Sequence, residues 1–236
     1  VFLAMQIEKI LYYLGIGANP VSHLEKIISG IGGFLSIFLI IYISSLFVGA
    51  EEAVYIVPSM GASAVLLFAV PHSALGQLWN VIGGHLISAA IGVACAQWLP
   101  GGGIAAAASV GLAIGVMYYA RCIHPPGGAT ALAAVIGGPN IHALGYEYIL
   151  TPIAINTVTI LLVALLFNAL FRWRRYPAFL IAKESGLDSA HQAYAPVDHA
   201  NFVYALSQMD TFIDVTEDDL LKIYQLATGR EVNSNS

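Results

Sequence analysis

The chain has 236 residues, a formal net charge of −5, and is 58% hydrophobic and 10% charged, with a mean hydropathy of +0.77. An ordinary soluble domain carries about 25% charged residues, so the composition excludes a soluble globular protein; without a Lys/Arg stripe it also excludes a nucleic-acid binder. From Ala53 to Phe171 the formally charged side chains are Arg121 and Glu147 alone, the mark of a bilayer-resident block with wet ends.

In chain order, residues 2–14 read as an amphipathic helix lying on the membrane surface. Residues 1–16 carry Glu8 and Lys9 and lack a cleavage-like end, so no signal peptide is expected. A spanning helix needs about 20 mostly apolar residues, and residues 24–48, 78–99, 104–122 and 148–171 supply such stretches. Two further apolar segments are broken, 53–70 by Pro58 and Gly61 and 125–138 by Gly127 and Gly128 at its head. Small residues recur at four-residue spacing at Gly32/Ser36, Gly84/Ser88/Gly92 and Ala107/Gly111/Gly115. Such stripes let helices approach closely in lipid; the expectation is packing within one chain, with a contact between copies in a homo-oligomer as the other reading. Cys95 and Cys122 sit in apolar segments and read as small buried hydrophobes. Beyond Arg175 the charge becomes mixed, and short helices are expected near 198–209 and 216–229 in a soluble tail.

The broken segments align without a gap. Pro58-Ser59-Met60-Gly61-Ala62-Ser63-Ala64 matches Pro125-Pro126-Gly127-Gly128-Ala129-Thr130-Ala131 in Pro, Gly, Ala, Ser/Thr and Ala. A polar turn and a long helix with polar residues follow each, Asn80 and His85 in one and Asn156 and Thr157 in the other. The expected organisation is an all-α membrane protein with an internal duplication of helix, broken half-helix and helix. Its parts are an amphipathic segment 1–23, a transmembrane domain 24–175 (repeats 24–99 and 103–171) and a soluble tail 176–236. If the half-helices cross the bilayer, the repeats are inverted; if they are re-entrant, the repeats are parallel. Lys26 and Arg172, Arg174 and Arg175 place both termini in the cytoplasm, and the inverted arrangement is the one expected.

Paired Gly/Pro-interrupted segments in two halves point to a transporter's binding site. The expected site is two half-helix N-termini, Gly61–Ser63 and Gly127–Thr130, meeting near the midplane with Arg121 beside them. Helix N-termini attract anions through free N–H groups and the dipole, and a guanidinium fork suits a planar oxyanion. The candidate substrate-binding residues are Arg121, His124, Gly127, Gly128, Thr130, Gly61, Ser63, Asn80, His85 and Asn156.

Each has a purely structural reading. Arg121 could snorkel to the interface. Pro125–Gly128 could be a kink with no ligand. The hydroxyls could bond back to their own helices, His124 could orient neighbours, and Asn80 and His85 could link helices. No metal site, cofactor or catalytic residue is expected. His72, His85, His124 and His142 lack carboxylates or thiolates beside them, and Ser63 with a histidine has no third group to orient the pair.

The run Arg121-x-x-His124-Pro125-Pro126-Gly127-Gly128-Ala129-Thr130-Ala131-Leu132 resembles the signature of the HPP family of integral membrane proteins. Gly61-Ala62-Ser63-Ala64-Val65-Leu66-Leu67-Phe68 and Asn80-Val81-Ile82-Gly83-Gly84-His85 are similar to that family's other recurring segments, so that the resemblance covers 24–171. The resemblance implies a membrane transport role, with nitrite uptake described for members in chloroplasts and cyanobacteria. The expected function is therefore a transporter or channel for a small inorganic anion such as nitrite. A membrane-anchored ion sensor without flux and an intramembrane enzyme are the alternatives. With no transit peptide visible, the expected location is a bacterial inner membrane.

Overall fold

The computed structural model describes residues 22–180 except Gly49, together with Gln6. The expected surface helix, apart from Gln6, and the two tail helices lie outside the described residues. The described residues form helices and short turns without strands, so the protein is all-α. The helices are α1 (His23–Val48), α2 (Ala50–Ala69), α3 (Leu78–Trp98), α4 (Gly103–Tyr119), α5 (Pro125–Ile136), α6 (Gly138–Leu144) and α7 (Ile155–Ala169). Short 3-10 turns stand at Ala74–Gly76 and Arg172–Arg174, and a π-type turn at Ile149–Ala154, kinked at Thr151, leads into α7.

Among the described residues, three stretches are long and apolar enough to cross a membrane: His23–Leu46, Leu78–Trp98 and Ile149–Ala169. Ile56–Ala69, Gly103–Tyr119 and Pro125–Ile136 are shorter apolar helices. At about 1.5 Å per residue, the 12 residues of α5 reach about 18 Å, short of the roughly 30 Å hydrocarbon core.

Hydrogen bonds reveal which helix ends lie together. Arg174 joins Glu25 at the start of α1 to the Phe68 carbonyl at the end of α2. The Tyr176 hydroxyl donates to the Gly76 carbonyl before α3. Trp79 Nε1 donates to the Ala120 carbonyl after α4 at 3.0 Å, and His124 before α5 meets the Leu75 carbonyl at 2.8 Å. All these junctions therefore share one end of the bundle. The end of α1, the start of α2 and the 99–102 connection lie at the other end, opposite Arg172–Arg174. The main helices alternate in direction, and α2 and α5 run opposite ways.

One expectation needs correction. Gly61–Ser63 is not a helix N-terminus, because α2 is helical from Ala50 and carries Pro58 inside it. Where water is absent, backbone groups must bond within the segment, and a proline is tolerated as a local loss of one bond. Pro125 does start a helix, so the two matched segments differ in form.

Close approach of helices explains several of the glycines. A Cβ on Gly92 would stand 2.4 Å from the Ala131 carbonyl oxygen, and one on Gly127 would stand 2.6 Å from the Gly84 carbonyl oxygen. Glycine is needed at both because α3 and α5 touch backbone to backbone. Gly32 likewise admits the Phe68 and Phe167 rings between α1, α2 and α7. Gly111 and Gly115 meet nothing within 4 Å. Phe34, Leu46, Leu166 and Leu170 are exposed, as lipid-facing residues would be, and Trp98, Trp173 and Tyr119 stand exposed towards the helix ends.

Candidate functional site

The segment between α4 and α5 is stretched across the start of α3 and pinned there. Asn80 Nδ2 donates to the Ile123 carbonyl at 2.8 Å. Cys122 is buried where Gly83 leaves room for it, a Cβ there standing 2.8 Å from the Cys122 Cβ. Gly84 does the same for His124, whose Cβ lies 2.4 Å from where a Gly84 side chain would begin. His124 takes an extended conformation before α5, which turns its ring inwards between α2 and α3.

Four polar side chains meet there, all at 0% exposure: Ser63 of α2, His85 of α3, His124, and Thr130 of α5. Ser63 Oγ stands 2.8 Å from His85 Nε2 and 2.9 Å from His124 Nε2. His85 Nδ1 is 2.8 Å from Thr130 Oγ1, and His124 Nδ1 is 2.8 Å from the Leu75 carbonyl oxygen. The two rings pack edge to face with centroids 4.9 Å apart. Tyr148, also buried, donates its hydroxyl to the Thr130 carbonyl at 3.2 Å.

With both rings neutral, one proton arrangement satisfies every contact of the two imidazoles. A carbonyl only accepts, so His124 Nδ1 carries hydrogen and its Nε2 is bare. The Ser63 hydroxyl must then donate to His124 Nε2, so His85 Nε2–H donates to Ser63 Oγ. His85 Nδ1 is left bare and accepts from the Thr130 hydroxyl. The result is a chain of donors running one way: Thr130, His85, Ser63, His124, Leu75 carbonyl. It is not a serine nucleophile poised for attack. The Ser63 oxygen already accepts an N–H from His85, and it lies inside a helix whose backbone donors are engaged, so no oxyanion hole stands beside it.

The sequence-predicted residues fall into two groups. Ser63, His85, His124 and Thr130 converge, and Asn80 and Gly127 position them. The others stand elsewhere. Arg121 is exposed rather than buried and has a left-handed φ of 53°; it turns the chain from α4 towards Cys122. Gly61 lines a groove between α1 and α2 instead of the cluster. Asn156 exchanges hydrogen bonds with Ser44 of α1, at 3.0 and 2.8 Å, and links α1 to α7. Gly128 has only Val110 within reach of a Cβ, at 3.7 Å. The α5 N-terminus also offers fewer donors than its glycines suggest. Pro125 and Pro126 have no N–H, and the Gly127 N–H turns back to the His124 carbonyl at 2.8 Å.

Two features escape the sequence reading. Tyr148, immediately before the π-type turn, is buried and reaches the Thr130 carbonyl. Arg174, read from sequence as a topology marker, is 1% exposed. It pairs with Glu25 and bonds to the Phe68 carbonyl, to Ser29 Oγ at 3.1 Å and to Asn168 Oδ1 at 3.3 Å. Burial pulls its guanidinium below the ordinary arginine value, and Glu25 pushes it back up. A cleft of about 380 Å³ opens beside it, lined by Glu25, Pro71, His72, Ser73 and Trp173. The Pro71–Ser73 turn runs straight into Leu75, whose carbonyl holds His124.

A family model, "HPP, transmembrane region", matches residues 18–177. The chain belongs to the HPP transmembrane family. The match takes in every helix above and the Arg174 clasp. This HPP protein is 37% identical over 155 residues to a transmembrane protein of Dictyostelium discoideum, covering 64% of this chain and 50% of that one. It is 36% identical over 178 residues to a second transmembrane protein of the same organism, covering 71% and 61%. The chain thus spans about half to three fifths of the length of these curated relatives. No solved structure matches.

Proposed function

We propose that this HPP protein carries a small inorganic anion, nitrite-like in size and shape, through the membrane by way of the Ser63–His85–His124–Thr130 cluster. The single observation that carries the reading is the convergence of these four fully buried side chains, drawn from the three family-like segments. Each is a hydrogen-bond donor, and a buried anion needs donors to replace its hydration. The first turn of α5 adds its dipole next to Thr130. Because the cluster is closed to solvent, access requires α2 and α5 to part, the behaviour of a carrier rather than an open pore. The cleft beside Arg174 is the entry on the basic end, which the positive-inside rule assigns to the cytoplasm. Arg121 marks that same face instead of lining the path.

The test is uptake of nitrite, nitrate, formate, bicarbonate and chloride into liposomes holding the purified protein, with binding measured in parallel. Saturable uptake of a planar oxyanion, lost in Ser63→Ala, is expected. Saturable binding without uptake would instead make the protein a sensor.

A further inference from the structure

The donor chain has a second complete arrangement, reached by adding one proton. One further contact makes it available: Thr130 Oγ1 lies 3.4 Å from the Pro126 carbonyl oxygen. Suppose a proton reaches His85 Nδ1. The Nε2 proton of His85 passes to Ser63, and the Ser63 proton passes to His124 Nε2. His124 now carries hydrogen on both nitrogens and holds the charge. His124 Nε2–H donates to Ser63, Ser63 donates to His85 Nε2, and His85 Nδ1–H donates to Thr130. The Thr130 hydroxyl, displaced, turns to the Pro126 carbonyl. One proton has entered, no bond to carbon has changed, and every polar atom again has a partner. Between Thr130 and His124 the chain now runs the opposite way.

We propose that these four residues form a one-proton switch, and that the anion crosses together with the proton it takes up. The second half rests on the transport reading above; the first half does not. The physical reason for coupling is charge. An unpaired anion in an apolar interior is very costly, and so is an unpaired imidazolium, but side by side each offsets the other. The surroundings leave the task to the histidine pair. Among the described side chains on the elements packed around it, the other titratable groups are Cys122, held against Gly83, Tyr148, bonded to the Thr130 carbonyl, Cys95 near the far end of α3, and His72, which lines the cleft beside Arg174. Tyr118, Tyr119 and Arg121 are exposed. The buried charge among the described residues, Arg174, sits with Glu25 at the end of the bundle.

The switch has a signature that a merely structural cluster lacks. The histidines should be followed by nitrogen NMR in the full chain reconstituted in bilayers, with Ser63→Ala and Thr130→Val beside it. At neutral pH His124 should be the Nδ1–H tautomer and His85 the Nε2–H tautomer. On acidification the pair should take up one proton in total. His124 should become doubly protonated while His85 stays neutral and exchanges its tautomer. In Ser63→Ala the His85 exchange should no longer accompany the charging of His124. Uptake of two protons, uptake of none, or an unchanged His85 tautomer overturns the switch. Nitrite uptake into liposomes with and without an inward proton gradient then decides coupling. Uptake that accelerates with the gradient in the native protein supports it, and uptake indifferent to the gradient overturns it while leaving anion transport intact. A tautomer switch in a protein that moves no nitrite would refute the transport reading and the coupling, and leave the switch standing.

Discussion

At the scale of single residues, Ser63 and Arg121 trade the importance that the sequence assigns them. Ser63 looks minor in sequence, one hydroxyl in an apolar run, yet it alone bridges the two histidines. Ser63→Ala would leave His85 Nε2–H and His124 Nε2 buried without their partner, which costs about 1–3 kcal/mol per stranded group. Ser63→Ala should therefore lower the thermal unfolding temperature in detergent as well as stop uptake. Ser63→Thr, which keeps the hydroxyl, should retain more of both. Arg121 draws the eye as the lone cation of the apolar block, but it is exposed and left-handed. A non-glycine residue held there pays about 1–2 kcal/mol. Arg121→Gly should be neutral or stabilising by about 1 kcal/mol in thermal unfolding, with anion selectivity unchanged. A change of selectivity in a well-folded Arg121→Gly protein would return the guanidinium to the site. Composition could find the charge but could not tell which side of the α4–α5 link it faces, because that depends on one backbone angle.

At the scale of elements, helix positions were legible because apolar length and Pro/Gly punctuation are local signals. The expected spans at 24–48, 78–99 and 148–171 appear within a few residues as stretches long and apolar enough to cross, whereas that at 104–122 appears as the shorter α4, and Pro125 opens α5 as its first-turn prolines require. The form of α2 was not legible. Pro58 and Gly61 look like a break in sequence, and only the packing of Ile56, Met60, Leu67 and Phe68 into the interior shows a helix running through them. The glycine stripes were legible as packing devices, but not which stripe packs. The contrast can be measured. Gly92→Ala sets a methyl against the Ala131 carbonyl and should cost about 1–3 kcal/mol as overpacking. Gly111→Ala enters open space and should gain up to about 1 kcal/mol in helix propensity. Thermal unfolding of the two variants in one detergent should separate them in opposite directions; equal effects would mean that α3 and α5 do not touch as described.

At the scale of the whole molecule, an ionic clasp ties the ends of α1, α2 and α7. Glu25→Ala would strand the buried Arg174 guanidinium, at a cost on the order of 3 kcal/mol. Adding Arg174→Leu to that variant should recover part of the loss, and the double-mutant cycle gives the coupling. Strict additivity would show that the clasp holds nothing. The alternating helices also predict that cysteine labels at 173 and at 101 react from opposite sides of the membrane. Reaction from one side would contradict that alternation. The central claim concerns passage of an anion through the buried cluster, and the most direct measurement is the initial rate of nitrite uptake into liposomes. Native protein and Ser63→Ala should be compared at equal, verified folded content against protein-free vesicles. The account predicts saturable uptake by the native protein and a loss of about tenfold or more in Ser63→Ala, the weight of a charge-assisted hydrogen bond. Uptake by the native protein no faster than leakage, or equal uptake by both proteins, would contradict it.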